Sequence, residues 1–258
     1  MRKKRSFFVY FLIILFLCSI ISCSKSDSID FENGVEENNF PILGDRYETD
    51  EEELFIDLLG HASIKILFND KFIYVDPYGQ IADYSILPKA DLILITHEHR
   101  DHFDIDAINK IQKLNTKFIT SQIVGDNLEV DAEVLNNGEN TVWESIKIEA
   151  APAYNLIHKN DIGEFFHPKG RGNGYVLSFN NFRLYIAGDT ENIPEMADLK
   201  NIKVAFLPKN IPYTMTDEMF VDAAKKVNPQ FLYVYHNDPQ DTNKQKLQKE
   251  IGETIILK

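Results

Sequence analysis

Apolar and β-branched residues fall in short bursts along most of this chain, and bursts of that length predict strands more often than helices. Residues 64–68 and 72–75 are two such bursts, joined through Asn69-Asp70, a turn pair that signals a hairpin. Residues 91–96 (Asp-Leu-Ile-Leu-Ile-Thr) form a continuous apolar run, the pattern of a strand buried on both faces. Asp104 stands where a helix needs an N-cap, ahead of Ile105, Ile108, Ile111 and Leu114 on one side. Further strands are expected over 141–151, 174–179, 182–187, 204–207 and 231–235, and helices over 194–200, 216–227 and 243–251.

The pattern also repeats. Residues 68–75 (Phe-Asn-Asp-Lys-Phe-Ile-Tyr-Val) and 179–186 (Phe-Asn-Asn-Phe-Arg-Leu-Tyr-Ile) share one texture, a tight turn running into an apolar strand. Each strand ends near an aspartate, Asp76 in the first case and Asp189 in the second. Two β-rich halves, each followed by helices, imply a duplicated α/β sandwich: two mixed β-sheets face to face, with helices on both outer faces (αββα).

Composition narrows the chemistry. The chain has 258 residues, with 27 Lys+Arg against 40 Asp+Glu and a net charge of −13. That balance argues against nucleic acid as a partner, because phosphate binding needs a basic face. The two cysteines, Cys18 and Cys23, both lie near the N-terminus. The folded part therefore works without disulfides, a thiolate nucleophile or cysteine ligands.

Residues 2–5 are Arg-Lys-Lys-Arg, and an uncharged, mostly apolar run follows over 6–24. A basic start before a short apolar stretch is an export pattern. The run ends Ile20-Ile21-Ser22-Cys23, which resembles a bacterial lipobox. That resemblance implies a signal peptide over 1–22, cleavage before Cys23, lipid on its thiol, and a lipoprotein anchored to a membrane in a bacterial cell envelope. The alternative is an uncleaved signal anchor, since the run is near the lower length limit for a span. Residues 23–53 are acidic, polar and largely without periodicity, and are expected to form a solvated tether before a domain over 54–258.

Directly after the 91–96 run comes His97-Glu98-His99-Arg100-Asp101-His102. Three imidazoles and a carboxylate within six residues, on a loop after a buried strand, suit Zn²⁺, Fe²⁺ or Mn²⁺. In an extended stretch His97 and His99 point the same way and can chelate one ion. After a turn, Asp101 and His102 can face a second. Glu98 and Arg100 fill the intervening slots and are expected to face away.

His-x-His-x-Asp-His after a buried strand resembles the metallo-β-lactamase fold superfamily, and the resemblance covers 54–258. It implies that His97 and His99 serve one metal and Asp101 and His102 the other. It implies that Asp189, in Gly188-Asp189-Thr190, bridges the two, and that His236 completes the second site. The segments LGHASIKI and IYVDP resemble the branch containing ascorbate-6-phosphate lactonase and N-acyl phosphatidylethanolamine phospholipase D. At the place where the superfamily usually sets a third histidine for the first metal, this chain has Asn155, a weaker ligand. His158 or His167 could take its place.

Other residues carry open readings. His61 is either a wall of the site or a structural histidine, and Asp76 either orients a ligand histidine or starts a turn. Lys169 and Arg171 lie in a glycine-rich loop and could hold an anionic substrate group. Tyr154, Phe165, Phe166 and Tyr213 line a pocket or belong to the core.

The resulting expectation is a hydrolase with one or two zinc ions, using metal-bound hydroxide, with Asp101 or Asp189 handling the proton. The substrate is expected to be a small phosphoester, phosphodiester or lactone, anionic in character. The alternatives are an iron oxidoreductase on the same scaffold, a nuclease that the acidic charge disfavours, and a non-catalytic surface lipoprotein with a structural metal.

Overall fold

The computed structural model describes residues 44–50, 52–237, 243–253 and 255–258, all within the compact unit Phe40–Lys258. The export signal, Cys23 and most of the acidic tether lie outside the described residues. One expectation for the tether changes: part of it, Asp45–Glu48, is the edge strand of a sheet. Its isolated apolar residue, Tyr47, gives no periodicity to read, yet its ring packs on Phe182 and Phe231.

Two seven-stranded sheets make the core. The first runs in chain order β1 (Asp45–Glu48), β2 (Glu53–Gly60), β3 (Ser63–Phe68), β4 (Lys71–Val75), β5 (Leu92–Ile95), β6 (Lys117–Thr120) and β7 (Glu133–Val134). The second holds β8 (Asn140–Trp143), β9 (Ile146–Ala153), β10 (Gly172–Phe179), β11 (Phe182–Ile186), β12 (Ile202–Pro208), β13 (Phe231–Tyr235) and β14 (Ile256–Leu257). In each sheet the first four strands pair antiparallel and the rest parallel, with the switch at β4–β5 and again at β11–β12. The repeated sequence texture is thus the visible trace of a repeated topology, with the two hairpin turns in equivalent places.

Alternation along the strands builds three apolar layers. Leu92 and Leu94 face the centre, where they join Ile64, Ile66, Leu177, Leu184 and Phe206 from both sheets. Ile93 and Ile95 face outward under α1 (Ile105–Ile111), with Ala107, Ile108 and Ile111. Here the continuous run is explained, because β5 is covered on both faces. The second sheet's outer face carries α3 (Asp217–Val227) and α4 (Lys244–Ile251) through Phe220, Ala224, Leu247 and Ile251.

Asp104 caps α1 through its side chain, as its position suggested, and Thr216 caps α3. Leu114 departs from the helical expectation. The helix ends at Ile111, Gln112 turns to an extended conformation, and Leu114 is fully exposed. Residues 194–200 form a short 3-10 turn rather than an α-helix (Pro194–Asp198). Strands β6 and β7 and the single helical turn α2 (Gln122–Gly125) are too short to leave a periodic signal. Among the described residues no helix is long and apolar enough to cross a membrane.

Candidate metal centre

The segments that follow β2, β4, β5, β9, β11 and β13 meet at one end of the sandwich. They bring His61, Asp76, residues 97–102, Asn155, Asp189 and His236 together, and the loop before β10 adds His167. Of seven histidines in the chain, six point into this one place. The local backbone is specialised for it. Asp76, His61 and His236 all have positive φ (46°, 49° and 46°), a left-handed conformation that bends the chain sharply as each strand ends. Gly188 also has positive φ, and a Cβ there would lie 2.7 Å from the Asn173 carbonyl oxygen, so glycine is what lets Asp189 approach.

One cluster consists of His97, His99 and His167. Nδ1 of His99 lies 3.1 Å from Nε2 of His97 and 3.2 Å from Nε2 of His167. A second consists of His61, Asp101, His102 and His236. Oδ2 of Asp101 lies 2.8 Å from Nε2 of His61, 3.4 Å from Nε2 of His236 and 3.7 Å from Nε2 of His102. Asp189 stands between them. Its Oδ2 is 3.3 Å from Nε2 of His167 and 3.1 Å from Nε2 of His236, and its Oδ1 is 3.5 Å from Nε2 of His102.

Three of these rings are held from behind. Oδ2 of Asp76 accepts from Nδ1 of His102 at 2.8 Å and from the Thr96 hydroxyl at 2.6 Å, while Oδ1 accepts from the Thr96 backbone N–H. The Thr96 hydroxyl, its own proton given to Asp76, can accept from Nδ1 of His97 at 3.0 Å. Both rings therefore carry their proton on Nδ1 and turn the lone pair of Nε2 inward.

The third histidine of the first cluster is His167. The side chain of Asn155 donates through Nδ2 to the Tyr213 carbonyl and to Glu191. Its Oδ1 accepts from the His167 backbone N–H at 2.7 Å and from Nδ1 of His167 at 2.8 Å. An amide oxygen can only accept, so His167 also carries its proton on Nδ1 and aims Nε2 at the cluster. Asn155 thus supports the ring rather than standing in for it.

His158, the other rival, turns away. Its Nδ1 lies 2.7 Å from Glu191 Oε1, and it joins neither cluster. Glu191 is itself 1% exposed and accepts from the backbone N–H groups of Leu156, Ile157 and His158. Neither Glu191 nor Thr96 was singled out in the sequence. Glu191 lies only two residues beyond Asp189, but a lone acidic residue there has no pattern to mark it.

Two other expectations change. Lys169 pairs with Glu195 at 2.7 Å and lies over the Tyr154 ring. Arg171 pairs with Glu98 at 2.5 Å. Neither lines the cleft of about 560 Å³ above the histidines, whose further walls are Phe166, Asn210 and Tyr213, although Arg171 borders a smaller pocket beside it with His97, His167 and Asp189. Tyr154 is core, packed in the outer layer of the second sheet.

Electrostatics favour cations here. Burial pushes His97 well below the ordinary imidazole value, and pushes His167 down to about 4. Burial opposes charge on His102 as well, but Asp189 and Asp76 outweigh it and hold that ring above its usual value. Burial likewise opposes charge on Asp189, and there His236 and His102 win, keeping the carboxylate ionised. Burial opposes charge on Asp101 too, but the nearby His236 ring and the hydrogen bond with His61 outweigh it and keep that carboxylate ionised.

The donors also fit a metal by what they lack. Nε2 of His102, both ring nitrogens of His236 and Oδ1 of Asp189 are buried without a hydrogen-bond partner. Buried polar atoms are rarely left so. Imidazole nitrogens and carboxylate oxygens aimed at common points are the donor set of divalent transition metals.

Comparison with known proteins agrees. The profile of the Beta-lactamase superfamily domain matches residues 55–236, from within β2 to His236. A UPF0173 metal-dependent hydrolase from Thermococcus onnurineus is 30% identical over 219 residues, covering 78% of this chain and 94% of the relative. Another, from Enterococcus faecalis, is 31% identical over 189 residues, covering 69% and 83%. A crystal structure from Parabacteroides distasonis, whose description names a metal-dependent hydrolase, is 43% identical with a TM-score of 0.78, covering 84% of this chain and 97% of that one. The chain therefore belongs to the metallo-β-lactamase superfamily, within the UPF0173 family of metal-dependent hydrolases.

Proposed function

We propose that this hydrolase is dinuclear and zinc-dependent, and that it cleaves lactones or phosphodiesters. The observation that supports this most is the position of Asp189, a buried carboxylate within 4.0 Å of ring nitrogens from both clusters. On this reading His97, His99 and His167 would hold one ion, Asp101, His102 and His236 would hold the other with His61 bonded to Asp101, and Asp189 would serve both. The abundance of imidazole favours zinc over manganese, while iron also fits these donors. Zinc held there would supply a water of lowered pKa and offset the negative charge that develops on the substrate.

The protein's own groups divide the remaining work. The side chain of Asp101 is 35% exposed and that of Asp189 only 3%. Asp101 is thus the carboxylate able to accept a hydrogen bond from water entering the cleft, with His61 fixing its Oδ2 at 2.8 Å. In the net reaction, the water oxygen bonds to the carbonyl carbon or phosphorus and the bond to the leaving oxygen breaks. One proton passes, by way of Asp101, to the leaving oxygen. The likeness of LGHASIKI and IYVDP to the lactonase and phospholipase D branch supports the choice of substrate.

Elemental analysis of the full chain, followed by a panel of phosphodiesters, lactones and β-lactams, tests the reading. Two zinc ions per chain and metal-dependent turnover of a lactone or phosphodiester are expected. Iron with oxygen-dependent turnover, or no hydrolysis by the metallated protein, would sink it.

The N-terminal residues support a second proposal, that the protein is exported and anchored through lipid on Cys23. Labelled fatty acid should enter the natural protein and not Cys23→Ala. Equal labelling of both would end the idea.

A further inference from the structure

The segment between β9 and β10 is more than a carrier for His167. Lys159 pairs with Phe165, Asn160 N–H donates to Glu164 and Gly163 N–H to Asn160, so 155–167 is a hairpin that stands out beside the cleft. One leg carries Phe166 and His167 into the cleft wall. Its other leg and its tip leave Leu156, Ile157 and Ile162 exposed, Ile162 at 80%. Across from it, residues 210–213 form the second wall. Tyr213 makes an edge contact with Phe166 at 5.0 Å and receives Asn155 on its carbonyl, which fixes the two loops side by side. Ile211 and Tyr213 are half exposed. Five of the eleven exposed large apolar side chains among the described residues therefore sit on these two loops. Scattered single apolar residues are ordinary on a surface, but a concentration beside a catalytic cleft marks a binding surface.

Charge points the same way. No lysine or arginine lines the cleft among the described residues. The nearby basic side chains are engaged elsewhere: Lys169 with Glu195, Arg171 with Glu98, and Lys209 with Asp217 at 3.0 Å. Beyond the histidines and carboxylates, the walls of this cleft are Phe166, Tyr213 and the Asn210 amide, and the one basic residue of the smaller pocket beside it, Arg171, is paired with Glu98.

We propose that the substrate is an ester-type molecule with one reacting centre and an uncharged apolar arm, and that the arm lies along the apolar surface that the 155–167 hairpin and the 210–213 loop share. This deepens the hydrolase reading and rests on it. The arm contributes to binding in proportion to the apolar area it buries. Full burial of a methylene is worth about fourfold in affinity, and a half-covered rim about twofold.

The test uses the full chain loaded with zinc and two series of p-nitrophenyl substrates, carboxylate esters and alkyl phosphodiesters. Arms of two, six and ten carbons are compared with arms of equal length ending in a carboxylate, all below micelle-forming concentrations. The expected result is a fall in KM of roughly twofold per added methylene with little change in kcat, erased by the terminal carboxylate. Ile162→Asp and Ile157→Asp, both exposed and outside the catalytic cluster, should flatten the dependence on arm length and leave the two-carbon substrate unaltered. A flat or rising KM along the apolar series, or an equal gain for the charged arms, overturns the proposal. Calorimetric titration with methyl alkylphosphonates of the same lengths gives a readout that needs no turnover. Affinity rising with length supports the arm surface even if the reading of the chemistry fails, and constant affinity refutes it.

Discussion

The two clusters that share Asp189 are built differently. The first consists of three imidazoles, held from behind by neutral groups: the Thr96 hydroxyl for His97 and the Asn155 amide for His167. The second has its own carboxylate, Asp101, and its His102 is backed by the buried carboxylate of Asp76. An ion in the second cluster meets one more negative charge at close range and a more basic imidazole behind it. In a chain whose two halves repeat one topology, the difference lies in which strand ends supply charge. It should appear as unequal metal affinity, and each prediction below strains that inequality.

The largest effect belongs to the shared residue. Asp189→Asn keeps the shape and removes the charge that would offset repulsion between two bound cations. Metal content should fall, the first cluster should empty most, and hydrolysis should drop by at least about a hundredfold, equivalent to several kcal/mol of transition-state stabilisation. Circular dichroism should stay native. A folded Asp189→Asn protein with full metal and full turnover would remove Asp189 from the centre.

Next comes the choice between His167 and His158. Graded chelation of the natural protein should release one ion at least about tenfold more readily than the other. His167→Ala should abolish the weaker step and leave the tighter one, because that ring belongs to the first cluster alone. His158→Ala should preserve both steps, since its ring reaches Glu191 and not the cluster. Loss of an ion in His158→Ala, with both retained in His167→Ala, would reverse the assignment.

The same contrast explains what could be read from sequence. The 97–102 cluster was legible because one short loop after one buried strand carries four chemically distinctive residues, and local spacing is all a sequence displays. The repeated halves were legible through two hairpins whose turn residues and apolar strands agree. The choice of His167 over His158 was not legible. The place of His167 depends on a hairpin that folds twelve residues back, so that Asn155 receives both its backbone and its ring. Sequence order set Asn155 at the expected ligand position and gave no sign that the chain would return beside it. Glu191 shows the same limit, because its partners are backbone N–H groups more than thirty residues away. Strand β1 was hidden by an acidic neighbourhood that hydropathy reads as a tether.

The supporting groups give a graded effect. Asp76→Asn removes the charge behind His102 and should weaken the tighter ion by about 10- to 100-fold. Asn155→Leu removes the acceptor that fixes the His167 tautomer and should weaken only the looser ion, within the same range. Two-bond proton–nitrogen NMR of the metal-free protein should find the His167 proton on Nδ1 in the natural chain and a mixed tautomer in Asn155→Leu. If both substitutions weakened the same ion, the two clusters would not be the separate units drawn here.

The smallest effect lies far from the cleft, on the seam where the edge strand of the first half meets the second. There the Tyr47 and Tyr233 hydroxyls lie 2.7 Å apart, and Asp45 accepts from the Tyr233 hydroxyl and from Lys258 at 3.0 Å. Burial alone would raise the Asp45 pKa, but the bonds to Tyr233 and Lys258 outweigh it and lower the value below the ordinary 3.8. A carboxylate whose folded pKa is lowered adds stability that is present above its unfolded pKa and lost as pH falls through the folded one. Because the Asp45 side chain is 41% exposed, solvent screens most of this, and the contribution at neutral pH should be well under about 1 kcal/mol. Asp45→Asn should therefore lower the urea midpoint slightly at pH 7, and the gap from the natural protein should close as the pH drops below about 4. Both chelation steps should remain where they were, because the seam supplies no group to either cluster. A shift in either step would mean that the two halves transmit strain across the sandwich, and that the inequality of the clusters is not set by their own charges alone.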